Sequence, residues 1–152
     1  MKFTEGYWLR SERVKEHYAA QVWEMKEVDG GMSLLVPLQA TPHKGNTVNV
    51  PCLTLTFRAA AEDTISVKAT HFKGYDTRKP KFELSGTSPK VEISETDDEY
   101  MMKTGKLTVR VRKNPFSYSF ESDGKVITAC GFRNLGYMEW DKEPSTMLPS
   151  DH

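Results

Sequence analysis

Residues 104–128 read TGKLTVRVRKNPFSYSFESDGKVIT, and over two successive runs every second residue is apolar. Leu107, Val109 and Val111 alternate with Thr108, Arg110 and Arg112. After Lys113-Asn114-Pro115, the residues Phe116, Tyr118 and Phe120 alternate with Ser117, Ser119 and Glu121. A period of two puts all six apolar side chains on one face of paired extended strands, whereas a helix would scatter them around its axis. The segment is therefore a hairpin with one dry and one wet face. The turn Asp123-Gly124 then leads into a third run over 126–128.

The same pattern recurs along the chain. Residues 22–28 and 32–38 flank Asp29-Gly30-Gly31, a hairpin signature. Leu53, Leu55 and Phe57 alternate with polar partners, as do Ile65, Val67 and Ala69, and shorter runs follow at 91–93 and 100–102. Turn residues punctuate these runs at short intervals, which predicts an all-β fold of antiparallel sheets, each with one wet face. Only residues 11–20 suit a short helix, with Ser11 as its cap. The Gly-, Pro-, Lys- and Ser-rich stretch 73–89 reads as a surface loop within one domain rather than a linker between two. A length of 152 residues is also that of one domain, 1–152, able to bury a real core.

Charge and composition narrow the partners. Lys plus Arg and Asp plus Glu both number 21, giving zero formal charge. A chain that grips nucleic acid or acidic lipid gains most of its affinity from a basic excess, so neither partner is expected. No stretch approaches the ~20 apolar residues of a membrane helix, and no apolar leader follows Met1. Cys52 and Cys130 are expected to be free thiols, and the protein to be cytoplasmic.

No constellation in the sequence carries chemistry. His17, His43, His71 and His152 lack partners at metal-ligand spacing, so neither a metal nor another cofactor is expected. There is no Gly-x-Ser-x-Gly elbow and no phosphate-cradling loop. The acidic run ETDDE at 95–99 could supply two carboxylates, but glycoside cleavage needs opposed groups in a shaped cleft. A consecutive run between strands reads as a solvated turn. Lys106, Arg110 and Arg112 share the parity of Thr108 and so line the wet face of the hairpin, where they discourage edge pairing. Trp8, Trp23 and Trp140 suit either core positions or sugar-stacking platforms.

The hairpin sequence also resembles the N-terminal domain of glycoside hydrolase family 31, which carries a Thr-Gly-Lys-Leu strand, a Pro-Phe step and a Phe strand ending in Asp-Gly-Lys. MKFTEGYWL from Met1, HYAAQVWE from His17, GNTVNVPCLTLTF from Gly45 and ISVKATHFKG from Ile65 are similar to the α-xylosidase branch. The resemblance runs from Met1 to about Tyr137. It implies a β-sandwich of the galactose-mutarotase-like type that precedes a (β/α)₈ barrel in full-length relatives. Those enzymes are retaining hydrolases that remove α-linked xylose, typically from xyloglucan oligosaccharides, with two catalytic aspartates on the barrel.

A barrel needs about 250 residues, and the Trp-x-Asp-Met nucleophile motif is absent, so no catalytic residue is expected in this chain. The Gly-Leu-Gly-Glu stretch that continues the family's N-terminal domain is absent too, so the sandwich is expected to lack its last strands. The resemblance implies a non-catalytic domain that supports its own catalytic barrel, frames the active-site entrance and makes subunit contacts. A stand-alone carbohydrate-binding module, with oligosaccharide as its ligand, is the alternative, as is an assembly element; a homo-oligomer is expected. The candidate substrate-adjacent residues are Asn49 and Thr47, in the polar loop HKGNTVNVP, and Trp8. An amide offers both donor and acceptor to sugar hydroxyls.

Overall fold

The computed structural model describes residues 13–41, 49–72 and 89–140. Within them run eleven strands: β1 (Val14–Tyr18), β2 (Glu24–Val28), β3 (Gly31–Pro37), β4 (Cys52–Ala61), β5 (Thr64–Thr70), β6 (Glu92–Glu95), β7 (Glu99–Thr104), β8 (Leu107–Arg112), β9 (Ser117–Ser122), β10 (Lys125–Cys130) and β11 (Gly136–Trp140). They form a four-stranded sheet β2-β3-β4-β5, a five-stranded sheet β10-β9-β8-β7-β6, and a two-stranded ribbon β1-β11. Every pairing is antiparallel. The fold is all-β and antiparallel, as the alternation predicts, and it is the sandwich that the family resemblance implies.

The two sheets meet through the residues that the period of two selects. Met32, Leu34 and Val36 of β3, with Leu53, Leu55 and Phe57 of β4, are buried in one cluster with Met102, Val109 and Val111 of the other sheet and Phe116 of the turn before β9. The opposite parity carries the wet face: Thr108 faces Glu121, Arg110 faces Ser119 and Arg112 faces Ser117 across β8 and β9. Arg110 gives this face its charge network, donating from Nε to Glu121 at 2.9 Å and from Nη1 to Glu99 at 3.4 Å. Both carboxylates hold the guanidinium pKa above its ordinary value, the Glu121 hydrogen bond most of all.

The four tight turns gather at one end of the sandwich. Gly30, Asp63, Gly105 and the Asp123-Gly124 pair all have positive φ, from 49° to 75°, which turns this short require. The Asp63 carboxylate accepts a hydrogen bond from the Lys106 backbone N–H and so ties the β4–β5 turn to the β7–β8 turn of the other sheet. The looser connections lie at the opposite end. There the β1–β2 linker crosses between the sheets. Ala20 N–H donates to Pro37 and Trp23 N–H to Leu35 on β3, while Val22 N–H donates to Lys113 and Ala20 accepts from Phe116 N–H on the β8–β9 turn.

The expected helix over 11–20 does not form. Its described part is strand β1, each residue of which pairs with β11, from Val14 with Trp140 to Tyr18 with Gly136. Helix propensity is a weak local preference, and a partner strand that satisfies the backbone overrides it. Ser11, the expected cap, lies outside the described residues, as do residues 73–88 of the expected surface loop.

Candidate interface and groove

Burial falls off toward one margin of the sandwich, and on β5 the core-facing side chains stay apolar. On β4, Leu55 and Phe57 are 0% exposed, and their cross-strand partners on β5 are Ala69 and Val67. These two share the core-facing parity, yet Ala69 is exposed and Val67 is 40% exposed. The other sheet repeats the gradient. Val109 and Val111 are fully buried, their β9 partners Phe120 and Tyr118 are half-buried, and the next partner out from Phe120, Thr128 of β10, is exposed. Val126 and Ile127, at a bulge in β10, are 60% and 62% exposed. Among the described residues, β5 and β10 each have a neighbour on one side only. A sandwich whose core continues past its last paired strands presents unpaired backbone and apolar surface together, the signature of an interface.

Tyr118 marks where the closed core ends. Its ring stands edge-on to Phe57 at 5.4 Å and to Phe120 at 5.8 Å. Burial between the sheets pushes its phenol up to about 12, and the neighbouring Cys130 thiol adds to the shift. Cys130 and Cys52 are both free thiols.

At the loop end, β1, the segment after β3, the β8–β9 turn and the β10–β11 loop enclose a groove of about 420 Å³. Glu16, Tyr18, Gln39, Asn114, Phe132 and Arg133 supply its aromatic and polar lining. The Arg133 guanidinium lies 5.9 Å from the Tyr18 ring centroid and 5.4 Å from that of Phe132.

Of the substrate-adjacent candidates read from sequence, the described residues include Asn49. Asn49 is exposed, at a left-handed φ of 65° just before β4, and does not line the groove. Thr47 and Trp8 lie outside the described residues. Trp23 is structural, donating its indole N–H to Thr41 at 2.8 Å.

The acidic run is a solvated turn between β6 and β7. Lys113 donates to Glu95 at 2.7 Å, holding that exposed carboxylate below its ordinary pKa, and Glu99 pairs with Arg110. No cluster of metal-binding side chains exists among the described residues. Sequence reading missed a ring stack in which Tyr137 lies between His17, at 4.8 Å, and His71, at 3.9 Å. The pairing of β1 with β11 sets His17 opposite Tyr137, and His71, just after β5, stacks on the same tyrosine ring.

No protein-family model matches the chain. Over 131 residues, 84% of its length, it is 27% identical to the α-xylosidase XylQ of Lactiplantibacillus pentosus. It is also 27% identical to an α-xylosidase of Emericella nidulans across 97% of its length. The chain resembles one part of α-xylosidases. This is the resemblance to glycoside hydrolase family 31 that the hairpin sequence carries. It spans only 17% and 20% of the length of these two relatives.

The sandwich also recurs in solved structures. The cycloalternan-forming enzyme of Listeria monocytogenes, in complex with pentasaccharide substrate, matches 82% of this chain at a TM-score of 0.60 and 15% identity. An uncharacterized protein of Listeria monocytogenes EGD-e matches the same share at a TM-score of 0.59 and 16% identity. In both cases the chain covers 11% of the larger structure.

Proposed function

We propose that this chain is a single, non-catalytic N-terminal β-sandwich domain of an α-xylosidase-like enzyme acting on xyloglucan-type oligosaccharides. In this reading the β5 and β10 margin docks against the rest of the enzyme, supports its catalytic barrel and helps frame the active-site entrance and subunit contacts. The observation that carries the reading is the gradient of burial, in which core-facing Val67 and Ala69 lie bare beside fully buried Phe57 and Leu55. A complete sandwich would cover them, so the margin suits a neighbour supplied by additional polypeptide. Similarity to about one-fifth of two α-xylosidases supports the identity of that neighbour.

The acidic groups support the non-catalytic part. A retaining glycosidase needs two carboxyl groups facing each other about 5–5.5 Å apart across the scissile bond. Here Glu95, Glu99 and Glu121 are each engaged by a cation on the outer surface.

A chimera tests the reading. This chain replaces the matched segment of the Lactiplantibacillus pentosus enzyme, and release of p-nitrophenol from p-nitrophenyl α-xyloside is followed. The chimera is expected to hydrolyse the substrate, and the double variant Val67→Lys, Ile127→Lys to lose most of that activity. The purified chain alone is expected to give no rate above buffer. Hydrolysis by the chain alone, abolished by changing one of its own carboxylates, would overturn the proposal.

A further inference from the structure

We propose that the groove between Tyr18, Phe132 and Arg133 is a binding site for a neutral oligosaccharide. A pyranose presents two kinds of surface: a ring face of C–H groups, which packs on aromatic rings, and an equator of hydroxyls, each both donor and acceptor. The groove offers counterparts to both. Phe132 is 55% exposed, so its ring is open to a ligand in the groove. Tyr18 stands on the same groove and adds a second ring. Gln39 and Asn114 are exposed amides on its rim, and an amide supplies donor and acceptor together.

Arg133 fixes the polarity of the site. Contact with two aromatic rings occupies the face of a guanidinium and leaves its in-plane N–H donors able to bond. Within the described residues it forms no hydrogen bond or ion pair. Its backbone is held at φ 65°, a left-handed conformation that a bulky residue adopts against a steric cost. Such an outlier persists where the surroundings over-determine it, and the side chain lines the groove within 6 Å of both ring centroids.

Glu16 lines the same groove, so positive and negative charge are both present and a net-charged ligand gains little. A volume of about 420 Å³ sits at the small end of ordinary ligand sites, roughly 300–1,000 Å³, and suits a short stretch of a longer glycan. The groove lies at the loop end and is built by β1, the β8–β9 turn and the β10–β11 loop, so a glycan and a docked neighbour need not compete for Val67 and Ile127.

The site is argued from the groove, whereas the choice of xyloglucan oligosaccharide as first probe rests on the function proposed above. The test is titration of the full chain, by calorimetry and by ¹H–¹⁵N chemical shifts, with three probes: a xyloglucan heptasaccharide, maltopentaose and trigalacturonic acid. Saturable binding of at least one neutral probe is expected, with shifts centred on residues 16–18 and 131–135 and weaker binding of the acidic probe. Arg133→Ala should weaken binding about tenfold and Phe132→Ala about fivefold, with melting temperatures unchanged.

Two results would overturn the site: no shift with either neutral probe at tens of millimolar, or affinity indifferent to both substitutions in folded protein. Preference for the acidic probe would overturn its neutral character. Binding of maltopentaose alone would keep the site and count against the xyloglucan assignment. An active chimera whose groove binds nothing would sink this site and leave the domain reading standing.

Discussion

Phe57 and Val67 face each other across β4 and β5 and point to the same side, yet the first is 0% and the second 40% exposed. Truncating each therefore measures where the core stops. Phe57→Ala removes a fully buried ring that also stands edge-on to Tyr118. Such substitutions cost about 3–5 kcal/mol, a large share of a total stability of roughly 5–15 kcal/mol. At about 2–4 °C per kcal/mol for a chain of this size, the melting temperature should fall by roughly 6–20 °C.

Val67→Ala removes two carbons worth ~0.8 kcal/mol each when fully buried, and partial exposure reduces this to about 1 kcal/mol. Val67→Lys should cost no more, since the lysine stem can lie along the apolar margin with its ammonium in water. The assay is thermal melting followed by circular dichroism, repeated at several protein concentrations to separate folding from association. A Val67→Lys variant that melts as low as Phe57→Ala would show that the margin is closed in solution, and the reasoning would fail.

Two further substitutions probe the inter-sheet ties. Gly105 has φ 56° and a Cβ there would overlap the Asp63 carboxylate, while Gly124 has φ 75° and open space around it. Gly105→Ala should cost about 1–3 kcal/mol and Gly124→Ala less, read as urea midpoints; equal shifts would argue against the Asp63 tie. The raised pKa of Tyr118 means that the folded chain keeps the phenolic proton at a pH where the unfolded chain has lost it. Its contribution is complete below the ordinary tyrosine range and fades as pH rises toward about 12. Tyr118→Phe should therefore be mild at neutral pH and flatten the alkaline loss of stability, and an unchanged alkaline slope would contradict the placement of the ring.

How much of this was legible beforehand follows from what each feature depends on. Strands β2 to β10 announce themselves because each carries its own alternation or its own Asp-Gly turn, both local properties. Strand β1 did not: VKEHY has a single aliphatic residue, and its extended form depends on GYMEW of β11 at the far end of the described chain. The stack of His17, Tyr137 and His71 was hidden because it joins three segments far apart in sequence.

The apolar character of Val67 and Ala69 was plain, but not their exposure, which depends on whether another strand lies beside β5. Nothing in CGFRNLG states which residue takes the left-handed turn; it falls to Arg133 although glycines stand at 131 and 136. Asn49 lies exposed before β4, and the groove forms away from it because four separate segments converge there.

Backbone hydrogen exchange at β10 tests the docking margin most directly. In the isolated chain, the amides of 125–130 that do not bond to β9 should exchange at nearly unprotected rates, while those of β4 and β8 are slow. In the chimeric enzyme the same β10 amides should become protected by an order of magnitude or more, together with those at the outer side of β5. Identical protection of β10 in both settings would mean that nothing docks there, and the role proposed for this sandwich would be wrong.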